Sequence, residues 1–192
     1  MHDVALERSK PAELLEEIGR LRAQIAQLES AVGDLDRLAH RDPLVPVFNR
    51  RGMMRELELI IGRFERHGTP AALLFVDLDG LKMLNDCFGH AAGDAALIHV
   101  AEKLRAGVRA TDCVARHGGD EFCVLLDHAD EAAAAETARR LVNSIAADEF
   151  LFEGTPMPLS VAIGLTLVES GDSATTLLAR ADQAMYRVKV AA

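Results

Sequence analysis

The sequence predicts one domain of mixed helices and strands with a partly antiparallel sheet, preceded by a long helix. Three observations support this prediction. An apolar repeat with steps of three and four occupies the N-terminal region, Pro43 and Pro46 follow it, and a Gly-Gly pair separates two short β-type runs further on. The chain has 192 residues, of which 49% are hydrophobic. That length accommodates one domain of ordinary size and an appendage.

The appendage, residues 1–41, is predicted to be a helix that pairs with a second copy of itself. Its heptad pattern has β-branched residues at a and leucine at d: Ile18, Ile25 and Val32 at a, and Leu14, Leu21, Leu28 and Leu35 at d. This combination favours a parallel two-stranded coiled coil, so we expect a homodimer through residues 14–39. Glu17 at g would pair with Arg22 at the following e of the partner helix. The alternative is a single amphipathic helix packed on its own domain.

The remaining residues, 42–192, are predicted to form the globular domain. Helical periodicity predicts helices at 50–66, 91–105, 130–147 and 173–188, and short apolar runs predict strands at 71–76, 113–115, 122–126 and 159–168. The two strands around the Gly-Gly pair are close enough in sequence to form a tight hairpin. Because a tight hairpin joins antiparallel strands, at least part of the sheet is antiparallel.

Composition excludes several functional classes. A net charge of −9 argues against a nucleic-acid-binding surface, which normally carries a basic patch. The three cysteines have no paired spacing, which fits reduced thiols in a cytosolic protein. No apolar run approaches the roughly 20 residues of a membrane span, and the N-terminus lacks the apolar region of a signal peptide. We therefore expect a cytoplasmic protein without membrane insertion.

Two adjacent acids follow the Gly-Gly pair at the start of the second hairpin strand. Gly118 and Gly119 predict a tight turn, because such turns need positive φ angles that glycine adopts without strain. Asp120 and Glu121 repel each other, so their position on a turn indicates a nearby cation or metal-bound phosphate. A polar turn tip without further function is the alternative interpretation.

A second acidic segment follows the predicted strand 71–76. Asp77 and Asp79 would point to one face of an extended chain. Residues 80–94 then interleave a lysine, an asparagine and further acids with glycines. A lysine suits phosphate as a point charge, and Asn and Asp side chains between them donate to and accept from a guanine edge. The segment therefore predicts a nucleotide pocket beside a metal site.

These two segments resemble the GGDEF domain of diguanylate cyclases, which join two GTP molecules into cyclic di-GMP. The hairpin motif is Gly118–Phe122 and the aspartate motif is Asp77–Asp94, and the resemblance extends from Asp42 to the C-terminus. It implies an α+β fold whose antiparallel-centred mixed sheet is flanked by helices, as in polymerase palms. It also implies that two GTP yield cyclic di-GMP and two pyrophosphates at a site between two facing domains.

The resemblance assigns residues to the active site. The catalytic and metal-binding set comprises Asp77, Asp120, Glu121 and the backbone carbonyl of Leu78, which would hold two Mg²⁺ ions, with Mn²⁺ as an alternative. The substrate-binding set comprises Asn85 and Asp94 for guanine, Lys82 and Lys189 for the triphosphate, and Gly118 and Gly119 beside the nucleotide.

The resemblance also implies inhibition by the product at an R-x-x-D element. Arg109 and Asp112 stand at that place, five residues before the hairpin motif, and Arg140 would be a secondary contact from a partner domain. Arginine suits phosphate and the guanine Hoogsteen edge through its planar fork.

The chain departs from the family pattern at three places. Val45-Pro46 replaces the usual Thr-Gly, Ala162 replaces the serine of an S-x-G element, and the G-R-N that usually follows Lys189 is absent. Alternative hypotheses are a catalytically silent receptor for GTP or cyclic di-GMP, an adaptor acting through its coiled coil, and a cyclase with a mixed purine product. The sequence indicates neither the input signal nor the strictness of guanine selection.

Overall fold

The structure, a computed structural model, describes residues 3–191, with side chains described from residue 13 to residue 190. The chain divides into two compact units, one ending at Ala39 and the other beginning at His40. The described part of the first unit is helical and belongs to helix α1 (Asp3–His40), which starts well before the predicted heptads.

The predicted a and d side chains of α1 are all exposed, from 44% at Ile18 to 65% at Leu28 and Leu35. Glu17 pairs with Arg20 of the same helix at 2.6 Å. Large exposed apolar patches are typical of interaction surfaces. The coiled coil itself stays a prediction.

The second unit contains the remaining elements. They are helices α2 (Arg50–His67), α3 (Leu81–Phe88), α4 (His90–Ala106), α5 (Glu131–Ala146) and α6 (Ala174–Ala191), and strands β1 (Ala71–Leu78), β2 (Cys113–Gly118), β3 (Glu121–Asp127), β4 (Leu151–Phe152), β5 (Thr155–Pro156) and β6 (Val161–Leu167). The main sheet has the order β2-β3-β1-β6, and all its neighbouring strands are antiparallel. Strands β4 and β5 form a separate hairpin. The predicted antiparallel-centred sheet flanked by helices is confirmed.

Strand β1 is buried along its whole length because helices cover both faces of the sheet. One face, with Leu74 and Val76, packs in a core with α4 and α5. The other face, with Leu73 and Phe75, packs in a core with α2 and α6. Since side chains alternate along a strand, Asp77 lies on the α2–α6 face, and it is only 7% exposed. A charged group is thus buried at the end of the central strand.

Two elements were not predicted: helix α3 and the β4–β5 hairpin. Helix α3 is short and begins after Gly80, which has a φ of 71° and provides no side-chain cap. It therefore lacks the capping residues that usually mark a helix start. In addition, β1 ends at Leu78, so Asp79 lies just beyond the strand. No helix in the described part of the chain is long and apolar enough to span a bilayer.

Candidate active site

The register of the central strands brings the predicted catalytic acids together. Asp77 of β1 stands opposite Glu121 of β3. The backbone N–H of Leu78 donates to the carbonyl of Asp120 at 3.0 Å. Asp77 and Glu121, directly opposite in the register, therefore share one face of the sheet, with Asp120 in the adjoining turn. The Leu78 carbonyl belongs to the same backbone segment.

The glycines of the turn do not have the conformation that we predicted. Positive φ angles occur at Gly68, Gly80, Gly89, Gly154 and Gly171 but at neither glycine of the motif. Gly118 pairs with Glu121 after an irregularity in β2, so Gly119 and Asp120 form the turn. A Cβ on Gly119 would meet nothing within 4 Å. The turn is therefore open on its outer side, and the positive-φ prediction is wrong.

Arg116 holds this turn in place. Its guanidinium donates to the Gly119 carbonyl from Nη2 at 2.8 Å and from Nε at 3.1 Å. The third guanidinium nitrogen, Nη1, lies 3.4 Å from Oδ1 of Asp42, at the start of the domain. The side chain thus ties the turn to the segment that precedes α2.

Negative charge is concentrated at this edge of the sheet. Burial, followed by repulsion from Asp120, Asp77 and Asp182, raises the pKa of Glu121, and nearby Arg50 opposes the shift. Glu121 and Arg50 also line a cavity of about 280 Å³ between α2 and α6. Asp182 and Arg50 were not predicted as neighbours of the site, because both are distant from the motifs in sequence.

Lys189, predicted to bind triphosphate, forms an ion pair with the carboxylate of Asp77. The hydrogen bond to Asp77 is the main cause that raises the pKa of Lys189. Among the described residues, α6 therefore supplies a cationic partner to the buried carboxylate.

The donor set of this edge fits Mg²⁺, since carboxylates and a backbone carbonyl are the hard oxygen ligands that the ion prefers. In the part of the chain that the structure describes, however, no group of three or more His, Cys, Asp or Glu side chains is arranged to hold a metal ion. The carboxylate of Asp77 is engaged by Lys189. We expect metal binding to draw the carboxylates together and to release Lys189.

Helices α3 and α4 bring the predicted guanine-binding residues together. The side chain of Asn85 in α3 lies against Gly93 in α4, next to Asp94. Asn85 is half-buried, whereas Asp94 is exposed. Lys82 is also exposed and lies one helical turn before Asn85, so α3 presents both on neighbouring positions.

Arg109 and Asp112 line a cavity of about 510 Å³ that also includes Arg41, Phe48 and Arg105. We refer to it as the arginine groove. Arg41 lies 3.8 Å above the Phe48 ring. The sequence analysis missed Arg41 and Arg105, whose one signal is positive charge near predicted helix ends. Arg140, which is exposed on α5, does not line this groove.

Asp112 has a structural role in the groove. One of its oxygens accepts from the backbone N–H of Arg109 at 2.9 Å, and the other accepts from that of Asp127 at 3.2 Å. Both carboxylate oxygens therefore already hold backbone groups.

Comparison with known proteins identifies the family. Residues 39–192 match the family described as "Diguanylate cyclase, GGDEF domain". The chain is 36% identical over 176 residues to the diguanylate cyclase DgcP of Pseudomonas aeruginosa, covering 92% of this chain and 26% of DgcP. It spans about a quarter of the length of the first two curated relatives that it matches.

Solved structures agree in fold. A sensory box/GGDEF family protein from Caulobacter crescentus CB15 has a TM-score of 0.74 and 36% identity, covering 79% of this chain and 98% of that one. The GGDEF domain of DgcB from Caulobacter crescentus, solved in complex with c-di-GMP, has a TM-score of 0.76 and 26% identity, covering 80% and 89%. The match over residues 39–192 includes both motifs. The chain therefore belongs to the diguanylate cyclase family of GGDEF domains.

Proposed function

We propose that this protein is a Mg²⁺-dependent diguanylate cyclase that condenses two GTP into cyclic di-GMP and two pyrophosphates. The observation that supports the proposal most is the register that sets Asp77 opposite Glu121, with Asp120 in the adjoining turn. A receptor that only binds nucleotide has no need for three neighbouring acids, whose mutual repulsion raises the free energy of the folded chain although Lys189 pairs with one of them. Mn²⁺ is expected to replace Mg²⁺, since it prefers the same oxygen ligands.

In this proposal Asp77, Asp120, Glu121 and the Leu78 carbonyl hold the metal. When bound, two Mg²⁺ ions favour ionisation of the 3′-hydroxyl of one GTP and neutralise the α-phosphate that it attacks. Lys189 moves from Asp77 to the triphosphate as the metal binds.

The substrate is oriented by residues from two helices of the domain. Lys82 neutralises phosphate charge from α3. Asn85 and Asp94 contact the guanine edge, because the amide can donate and accept while the carboxylate accepts from guanine N–H groups. The open face over Gly119 leaves room for the nucleotide beside the turn.

Each domain offers one such site, so joining two nucleotides requires two copies that face each other. The exposed a and d residues of α1 suit this requirement. We propose that residues 1–41 dimerise as a parallel coiled coil and that residues 42–192 form the catalytic domain. Tethering of this kind raises the local concentration of the second domain to about the millimolar range.

We further propose that cyclic di-GMP inhibits the enzyme at the arginine groove, and that Arg140 contacts the same ligand from a partner domain. The related DgcB domain was solved with c-di-GMP, and here Arg41, Arg105 and Arg109 offer planar donors to an anionic dinucleotide.

We also propose that the protein is cytoplasmic, because Cys87, Cys113 and Cys123 are free thiols.

The test is an assay of the purified chain with GTP and Mg²⁺, with products separated by chromatography and the oligomeric mass measured alongside. We expect a dimer that forms cyclic di-GMP, and loss of turnover in Asp120→Asn. A dimer that binds GTP or cyclic di-GMP at saturation without forming product would refute the cyclase and support a silent receptor.

A further inference from the structure

Gly93 occupies an unusual position for a glycine, inside helix α4 and buried. Glycine is unfavourable in a helix interior relative to alanine, so its presence calls for a local reason. A Cβ built on Gly93 would lie 2.1 Å from Oδ1 of Asn85, 2.9 Å from its Cγ and 3.1 Å from its Nδ2. The three nearest heavy atoms thus belong to one side chain, that of the proposed guanine ligand.

A second glycine shows what a pure packing role looks like. At Gly164 in β6, a Cβ would meet the backbone nitrogen of Met185 at 2.0 Å and its Cα at 2.5 Å. A side chain there would separate α6 from the sheet. At Gly93 the Cβ would collide with the end of the Asn85 side chain, which can rotate, whereas the Cβ itself would be fixed by the helix. The consequence of a side chain at 93 therefore falls on the position of Asn85.

We infer that Gly93 is a positioning residue for base selection. Its missing side chain lets the Asn85 carboxamide lie on α4 directly beside Asp94, so that both groups address one guanine. This inference rests on the proposed function and specifies how its base-recognition site is built. Alanine at position 93 would turn the Asn85 amide away while leaving Asp94 and the phosphate-binding lysines in place.

The experiment measures binding of the α,β-methylene analogue of GTP, which cannot be cyclised, to the full chain by titration calorimetry with Mg²⁺. The variants are Gly93→Ala, Asn85→Ala and the double variant. Gly62→Ala in α2 is the matched control, because the nearest atoms to a Cβ there are the Arg66 guanidinium nitrogens at 3.8 and 4.0 Å. Inorganic triphosphate serves as a probe that contacts the lysines and metal but no base-binding group.

We expect Gly93→Ala and Asn85→Ala each to weaken analogue binding by about tenfold, and the double variant to be no weaker than Asn85→Ala. In these variants, the affinity for triphosphate and the melting temperature should stay at or above the wild-type values. The Gly62→Ala control should bind the analogue with at least wild-type affinity. Wild-type affinity in Gly93→Ala beside a weakened Asn85→Ala would overturn the inference alone. Additive losses, or a loss of triphosphate binding, would overturn it as well. Wild-type affinity in Asn85→Ala would remove the guanine assignment and the inference with it, and a wild type that binds no analogue would remove the proposed function.

Discussion

The two ends of the β2–β3 hairpin use carboxylates in opposite ways. At the turn, Asp120 and Glu121 crowd against Asp77, and their repulsion contributes to the raised pKa of Glu121. At the far end, both oxygens of Asp112 accept backbone N–H groups, which ties the R-x-x-D loop to the end of β3. Ionisation of Glu121 at the turn opposes folding, whereas the hydrogen bonds of Asp112 stabilise the fold. In the proposed inhibitory site, binding would therefore depend on the arginines rather than on Asp112.

The largest effect should follow from Asp77→Asn at the turn end. We expect the initial rate of cyclic di-GMP formation to fall by about 10²–10³-fold, because metal stabilisation is worth several kcal/mol and each 1.36 kcal/mol is tenfold in rate. Asp127→Asn, at the far end of the same hairpin, is the matched control, since Asp127 pairs with Arg63 at 2.9 Å away from the turn. Equal losses in both variants would contradict the division between the two ends.

The next effect concerns Arg109→Ala in the arginine groove. An arginine–phosphate hydrogen bond contributes about 1.5–3 kcal/mol, so the inhibition constant of cyclic di-GMP should rise by about 10–100-fold. The initial rate should stay near wild type, because the groove lies away from the turn. Initial rates measured at increasing product concentration test this. Unchanged inhibition would remove the regulatory assignment of the groove.

Asp112→Ala should differ from Arg109→Ala in stability. Two backbone N–H groups lose their acceptor, and the one from Asp127 is partly buried, so we expect a loss of about 1–3 kcal/mol in the free energy of unfolding. Arg109 is exposed, and its replacement should change stability by less than about 0.5 kcal/mol. Urea denaturation of both variants measures the difference. Equal stabilities would show that the Asp112 hydrogen bonds contribute little.

The turn end of the hairpin could be predicted from sequence because its signals are local. Two glycines and two acids between apolar runs identify the hairpin. The apolar run that ends at residue 76 predicts that Asp77 lies at the end of a strand. The backbone conformation of the glycines was predicted wrongly, because an irregularity after Arg116 shifts the register and moves the turn to Gly119 and Asp120.

The groove end depends on contacts between distant segments. The backbone N–H of Phe48 donates to the carbonyl of Val114 at 3.0 Å, and its carbonyl accepts from the N–H of Arg116 at 2.8 Å. Because Arg41 pairs with Phe48, these bonds place Arg41 at the groove. No local sequence pattern around residue 41 predicts this pairing, because the segment forms isolated β-bridges and not a regular strand. Sequence motifs therefore identified Arg109 and Asp112, but not the wall opposite them.

The smallest effect concerns Glu121→Gln in the absence of divalent cations. Because folding raises the pKa of Glu121, ionisation of this group opposes folding. Its favourable contribution is present below the unfolded pKa of about 4.3 and is lost as the pH rises through the folded pKa. Glutamine cannot ionise, so the variant should be more stable than wild type near neutral pH, by less than about 1 kcal/mol since Glu121 is partly exposed to screening solvent.

The gain should vanish as the pH falls below the ordinary range of glutamate, and Glu102→Gln on the exposed face of α4 is the control for the loss of a surface carboxylate. Thermal unfolding across this pH range measures both variants. Added Mg²⁺ should reverse the order near neutral pH, because only wild type keeps the full carboxylate set. If Glu121→Gln were less stable than wild type without metal, the crowded acids would not be opposing the fold. The contrast with Asp112 would then rest on position alone.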